Sequence, residues 1–292
     1  MIVYLNEEFL DKSAAHISPE DRGFMLADGV YEVIKVYKGH PFRMDDHMQR
    51  LKSSLNAIHI RNEDTEAIKY AGLELIQRNN LQHEYAGIYI QVTRGAHPRI
   101  HHFPTDIVPT IYVSVFPFPG RFQNMKKGVA VISRPDNRWL RCNIKSIALL
   151  PNTLLYEEAV RQNASECVLI RDGVVTEASH SNVGIIKNGV FITHPDSNLI
   201  LPGITKKVVL EICRHKGIPV SEKPFPAAQF DTIDEMMLMG TGNEVTPVIR
   251  VDDALIGNGK PGKFTRMLQV AFFNETYGNL AGDMWYGDFL QV

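Results

Sequence analysis

The chain has 292 residues, with 31 Lys+Arg against 33 Asp+Glu and a formal net charge of −2. That balance excludes a dedicated duplex binder, which carries a basic excess to neutralise phosphates, and 22% charged with 44% hydrophobic residues excludes a chain too polar to bury a core. No run approaches the ~18 apolar residues of a membrane span, and three scattered cysteines (Cys142, Cys167, Cys213) point to a reducing compartment rather than a disulfide framework or a zinc knuckle.

The start, MIVYLNEEFLDK, lacks the basic and apolar regions of a signal peptide, so a soluble, cytoplasmic protein is expected. Residues 30–37, VYEVIKVY, alternate as a strand, with Tyr31, Val33, Lys35 and Tyr37 on one face and Val30, Glu32, Ile34 and Val36 on the other. Met48, Leu51 and Leu55 recur at helical spacing and predict a helix over 45–58; a second is expected over 65–78. Strands at 87–93 and 110–116 bracket RGAHPRIHHFP, a polar loop rich in His and Pro.

These elements predict a small N-terminal α/β domain over 1–117 and a linker at 118–123, with a larger C-terminal domain over 124–292. The second domain opens with a strand at 129–133 and a helix near 154–162. Asp172-Gly173 and Asn188-Gly189 are hairpin dipeptides. Helices follow Pro202-Gly203 to about 216 and cover 264–277, and strands at 235–239 and 248–251 complete a mixed sheet or barrel. The class is α/β (α+β) in two domains. The aromatic tail GDMWYGDFLQV either docks on the body or another subunit, or stays disordered.

Two motifs fail on context. Gly257–Gly262 matches GxGxxG, but too little chain follows for the helix, strand and acidic residue of a dinucleotide fold, and Phe264 stands where a P-loop needs Ser or Thr. Aligning His97 with His101 would need a helix, and Pro98 with Pro104 argues for a loop over His97, His101 and His102, so no metal site is expected.

Three places offer anion-binding geometry. Ile204 and Thr205 follow Pro202-Gly203 at a helix N-terminus. Gly240-Thr241-Gly242-Asn243 allows close backbone approach, and Arg50 could grip a phosphate from an early helix. Each alone is more often a cap, a turn or a surface charge. Lys145, in RCNIKSIALL, is an ammonium in an apolar setting; most such lysines snorkel, while a desolvated one near a cation such as Arg141 is ready for Schiff-base chemistry. Glu177, in VVTEASHSN, reads alone as a solvated turn carboxylate.

Taken together, DRGFMLADGVYEVIKVY, RWLRCNIKS, VVTEASHSNVGII, LPGIT and TGNEVTPV resemble, in order and spacing, the class IV (fold-type IV) aminotransferases, which use pyridoxal 5′-phosphate. Within them the chain is most similar to the D-amino acid (D-alanine) aminotransferases, through YEVIKVY, QVTRGAHPRIHHFP and RWLRCNIKS. The resemblance implies the larger domain's pseudo-barrel and a homodimer. It makes Lys145 the Schiff-base lysine and proton carrier, and Glu177 the carboxylate at the pyridinium nitrogen. Arg50, Ile204, Thr205 and Thr241 match the phosphate cup, with Gly240 beside them among the cofactor-binding residues. Tyr31, Arg99 and His101 match the substrate-carboxylate grip, with Arg99 and His101 supplied from one subunit to the other.

Two positions depart from that pattern: His180 stands where relatives commonly have Ser beside the cofactor ring, and Gly240 replaces a Ser before Thr241. His180 is a bulkier wall, a donor or a bystander. The implied reaction exchanges an amino group between a D-amino acid (D-alanine or D-glutamate type) and a 2-oxo acid in a ping-pong scheme. Branched-chain L-amino acid or (R)-amine transamination, aminodeoxychorismate lysis, and a cofactor-binding protein without catalysis are the alternatives.

Overall fold

In the computed structural model, which describes residues 1–60 and 64–277, the chain falls into two units: Met1–Pro119 with Ile144–Leu149, and Gly120–Asn143 with the residues from Leu150 on. The expected second domain, 124–292, is therefore interrupted, because the hexapeptide carrying Lys145 pairs with strands of the first unit. The tail read as aromatic, from Gly282 on, lies outside the described residues.

The first unit runs β1 (Ile2–Leu5), β2 (Glu8–Asp11), α1 (Arg22–Leu26), β3 (Gly29–Tyr37), β4 (His40–Pro41), α2 (Met44–Ala57), α3 (Thr65–Arg78), β5 (Tyr85–Thr93) and β6 (Thr110–Pro117). Its strands form one antiparallel sheet in the order β2-β1-β6-β5-β3-β4. The expected alternation of β3 holds: Val30, Ile34 and Val36 join Met48, Leu51, Leu55, Leu75, Ile88 and Ile90 in one buried cluster. Each such side chain contributes roughly 1.5–3 kcal/mol relative to exposure. α3 starts where expected because the Asp64 side chain accepts from the Glu66 and Ala67 amides.

The second unit runs α4 (Phe122–Lys127), β7 (Val129–Pro135), α5 (Leu150–Arg161), β8 (Cys167–Arg171), β9 (Val174–Ala178), β10 (Asn182–Lys187), β11 (Val190–Thr193), α6 (Ile204–His215), β12 (Val220–Glu222), β13 (Phe225–Pro226), β14 (Glu235–Gly240), β15 (Glu244–Val251), β16 (Ala254–Leu255) and α7 (Lys263–Thr276). They build a mixed sheet, β12-β11-β10-β14-β15-β7-β8-β9-β13, with β16 beside β15. Parallel pairs (β7 with β8 and β15, β11 with β12) sit among antiparallel ones. Asp172-Gly173 and Asn188-Gly189 turn with both residues at positive φ (51° and 77°, 52° and 75°), as two-residue hairpins require. α5 begins earlier than its apolar pattern indicated, since Pro151 is tolerated in a first turn.

The glycine-rich stretch 257–262 leads into α7, whose N-terminus is already filled. The Glu235 carboxylate accepts from the Phe264 and Thr265 amides at 2.9 and 2.7 Å and from the Thr265 hydroxyl at 2.7 Å. A Cβ on Gly262 would lie 2.1 Å from that carboxylate. An internal anion occupies the place a nucleotide phosphate would need, which removes the dinucleotide reading of this loop.

Candidate active site

In the first unit, Lys145 is held by its backbone. Its carbonyl accepts from the Tyr31 amide at 2.9 Å and its amide donates to Ser54 Oγ of α2 at 3.2 Å. Ser146 bridges Val30, and the Ile147 amide donates to the Gly29 carbonyl at 3.1 Å. Gly29 allows this approach: a Cβ there would stand 3.0 Å from Ile147 Cδ1. Lys145 is half-buried, with Nζ 4.3 Å from the Tyr31 ring centroid. Two of the expected residues, Lys145 and Tyr31, thus meet. Tyr31 faces Tyr89, ring centroids 6.0 Å apart.

Glu32, on the opposite face of β3, is fully buried and takes Arg50 of α2 in a forked pair: Nε to Oε1 at 2.7 Å, Nη2 to Oε2 at 2.8 Å. His47, one turn earlier, lies 2.8 Å from Oε2 through Nδ1. Burial pushes the Glu32 carboxyl up, but Arg50 and His47 outweigh it and hold it far below the usual range. Burial keeps His47 below its ordinary value despite Glu32, so near neutrality it is uncharged, and Nδ1 carries the donated proton. The Arg50 guanidinium plane is therefore set by Glu32, a partner eighteen positions earlier that sequence reading placed only on the strand's other face.

Arg99 and His101 lie exposed on the loop after β5. His97, in the same loop, approaches its neighbour's carbonyl, Pro98 O, at 2.7 Å through Nδ1.

In the second unit, Glu177 is not a solvated turn residue. It is 4% exposed on β9. Oε1 accepts from Arg138 Nη1 at 2.5 Å, and Oε2 accepts from Asn182 Nδ2 at 2.9 Å and the Leu201 amide at 3.0 Å. Arg138 is shared: Nε and Nη2 fork onto Asp136 at 2.9 Å each. Burial pushes the Glu177 carboxyl up to about 7 against the pull of Arg138 and the Leu201 amide. Arg141, the cation singled out beside Lys145 in sequence, is exposed.

Asn182 also donates to the Leu201 carbonyl at 2.9 Å, tying Glu177 to the turn that starts α6. Gly203 caps α6 with no side-chain acceptor, so among the described residues the amides of the buried Ile204 and Thr205 end the helix as an open anion seat. α7, also glycine-capped, has its own carboxylate in that place.

Thr241 sits in the turn between β14 and β15. A Cβ at Gly240 would lie 3.0 Å from Ser181 Oγ, so these small residues let two turns approach. The fully buried Glu166 ties both turns together. It accepts from Ser181 Oγ at 2.7 Å, the His180 amide at 3.1 Å and Ser179 Oγ at 3.3 Å, and closely from Asn243 Nδ2. The His180 side chain is 42% exposed, with Nδ1 3.5 Å from Glu166 and its ring edge-on to Tyr156 at 4.6 Å.

Sequence reading missed Glu32, Arg138, Asp136, Asn182 and Glu166. Arg138 opens RWLRCNIKS and Asn182 closes EASHSN, so both stood inside motifs already quoted; Glu166 gave no signal. Chemically, the first unit offers a primary amine against an aromatic ring. The second offers a buried carboxylate suited to a protonated ring nitrogen and helix amides suited to a phosphate.

A family model described as amino-transferase class IV matches residues 29–251. A D-alanine aminotransferase of Staphylococcus haemolyticus is 40% identical over 272 residues, 92% of this chain and 96% of that protein. One from Bacillus licheniformis is 39% identical over 96% of this chain and 99% of that protein. Among solved structures, the Escherichia coli branched-chain amino acid aminotransferase superposes with a TM-score of 0.88 at 25% identity, covering 97% of each chain.

Proposed function

The chain belongs to the class IV aminotransferases, and from that premise we propose that it moves an amino group between a D-amino acid of the D-alanine or D-glutamate type and a 2-oxo acid. As a member of that family it is a pyridoxal 5′-phosphate-dependent aminotransferase. The observation that carries the D-amino acid reading is the 40% identity, end to end, with relatives named D-alanine aminotransferase.

The residues fit the cofactor group by group. Glu177, pushed up to about 7 by burial, gains from a positive partner and suits a protonated ring nitrogen. The N-terminus of α6 at Ile204 and Thr205, with Gly240 and Thr241 of the same unit, suits the phosphate, and the family resemblance adds Arg50. Lys145 carries the amine for the carbonyl carbon. When bound, pyridoxal phosphate supplies a carbonyl to take up the amino group and a ring to delocalise the electron pair left at Cα.

Every other role falls to the chain. Lys145 Nζ would hold the cofactor carbonyl carbon, take the proton from the substrate Cα and return it two bonds away, across the amino nitrogen, at that carbon. Glu177, supported by Arg138 and Asn182, would keep the ring nitrogen protonated. Tyr31 stands over the Lys145 amine and shapes the substrate side. Arg99 and His101 receive the substrate carboxylate in a homodimer, each chain serving its partner's site; their exposure in the single chain leaves them available for that role. His180, held by Glu166 and Tyr156, walls the ring side. Among the described residues no helix is long and apolar enough to cross a membrane. The three buried, unbridged cysteines support a reducing, cytoplasmic setting.

A second reading, branched-chain L-amino acid transamination, is favoured by the fold match alone, at 25% identity. The test is a coupled assay with 2-oxoglutarate as acceptor. D-alanine is expected to yield pyruvate, and Lys145→Ala is expected to abolish it. Pyruvate formation that survives Lys145→Ala, or turnover of L-leucine in place of D-alanine, overturns the reading.

A further inference from the structure

Arg22 and Arg94 are buried charges, paired with a partly buried Asp28, that the reaction above does not use. Arg22 and Arg94 are 2% and 4% exposed and share one carboxylate. Asp28 Oδ2 accepts from Arg22 Nε at 2.9 Å and Arg94 Nε at 2.8 Å, and Oδ1 accepts from Arg94 Nη2 at 3.0 Å. Two guanidinium groups on one aspartate leave donors over, and these point into chain rather than solvent. Arg22 Nη1 donates to the Ile100 carbonyl at 2.6 Å, with Nη2 3.5 Å from the His101 carbonyl. Arg94 Nη2 donates to the Ile58 carbonyl at 2.6 Å, and its guanidinium lies 3.5 Å from the Phe103 ring centroid.

The loop from Gly95 to Phe103 is thereby gripped at three places. Its start is pinned by the Arg22 amide on the Gly95 carbonyl at 2.9 Å and the His97 amide on the Glu20 carbonyl at 3.1 Å. Its middle is held at Ile100 by Arg22. Its end is clamped at Phe103 under Arg94 and beside His59. The two side chains assigned to the substrate carboxylate, Arg99 and His101, flank the residue whose carbonyl Arg22 holds. Their exposure gives them few contacts of their own, so their direction is set by the backbone beneath them.

We propose that Arg22, Asp28 and Arg94 are positioning residues for substrate recognition: a buried two-arginine, one-aspartate clamp that fixes the loop presenting Arg99 and His101 to the substrate carboxylate. The proposal rests on the carboxylate role given to Arg99 and His101 above. Charge-assisted bonds to backbone carbonyls suit such a task, because they set main-chain position without contributing a group to the reacting centre.

Two variants test it, with Arg99→Ala as comparator. Arg22→Lys removes the forked donor. Phe103→Ala removes the ring under Arg94 at a position 48% exposed, where folding is tolerant. Both are expected to raise KM for D-alanine and 2-oxoglutarate about tenfold, the scale of one lost charge-assisted hydrogen bond, with kcat changed less than about threefold. Amide hydrogen exchange over 99–103 is expected to quicken, while the single-turnover rate of the first half-reaction with n-butylamine, which has no carboxylate and needs no 2-oxo acid, stays at the parental value. If exchange quickens but KM for both carboxylate substrates stays parental, while Arg99→Ala raises it, the clamp proposal is overturned. A matching fall with n-butylamine also overturns it, since the effect would then not concern the carboxylate. Parental KM in Arg99→Ala itself would instead remove the role of Arg99 on which the proposal stands.

Discussion

Burial raises a carboxylate's pKa and a neighbouring guanidinium lowers it, and Glu177 and Glu32 divide on which effect prevails. Glu32 has Arg50 in a two-point fork plus His47 and is held far below the usual range. Glu177 has one nitrogen of an arginine that Asp136 grips with two, and burial carries it up to about 7. The signs of their pH dependence are therefore opposite. Glu32, depressed in the fold, supports stability above its unfolded value near 4.5, and that support is lost as pH falls through the folded value. Glu177, raised in the fold, costs nothing below 4.5, and stability is lost as pH climbs through about 7. In the cofactor-free protein, urea unfolding from about pH 5 to about 8.5 should show a decline on the order of 3 kcal/mol from this group, and Glu177→Gln should flatten it. The same substitution should lower kcat of the loaded enzyme about 10²–10³-fold, the scale of one lost electrostatic contact at a reacting centre. Glu32→Gln should cost about 3–5 kcal/mol at neutral pH by leaving Arg50 buried without its counter-charge, read as a lower urea midpoint.

Two helices of the second unit begin alike and end up with different tasks. α6 and α7 both follow a glycine without a side-chain cap, but Glu235 fills the N-terminus of α7 while Gly203 leaves that of α6 open. Gly203 is also packed against the Glu177 support: a Cβ would lie 1.8 Å from Asn182 Oδ1. Gly203→Ala should push Asn182 off Glu177 and weaken pyridoxal phosphate binding about tenfold or more, measured by fluorescence titration. Glu235→Ala should cost about 1–2 kcal/mol of stability as a lost helix cap and leave that affinity unchanged. The GxGxxG pattern could not tell these helices apart, because the deciding carboxylate stands on a strand nearly thirty residues earlier. Periodicity and turn dipeptides, both local, did reveal α2, α3 and the two hairpins. What stayed hidden is non-local: the pairing of Ile144–Leu149 with β3, the reach of Arg138 to Glu177, and the Glu166 contacts that tie two turns together. Short elements such as α1, five residues long, carry too little pattern to be read alone.

Across the whole molecule, a formal charge of −2 excluded a polyanionic partner and concealed charges that matter one at a time. Arg50, Arg99 and Lys145 come from distant parts of the chain, and in the proposed reaction one meets a phosphate, one a carboxylate and one a carbonyl. Order and spacing of motifs carried the family resemblance, and the match over residues 29–251 places the chain in it. The choice of substrate is a property no single motif displays, since a branched-chain amino acid aminotransferase shares this fold at a TM-score of 0.88. The direct test is the first half-reaction alone: load the purified protein with pyridoxal phosphate, record its visible absorption, then add D-alanine and L-leucine to separate samples without any 2-oxo acid. Loss of the visible band with D-alanine, and its persistence with L-leucine, is the predicted result. A band that responds to L-leucine and ignores D-alanine would contradict it.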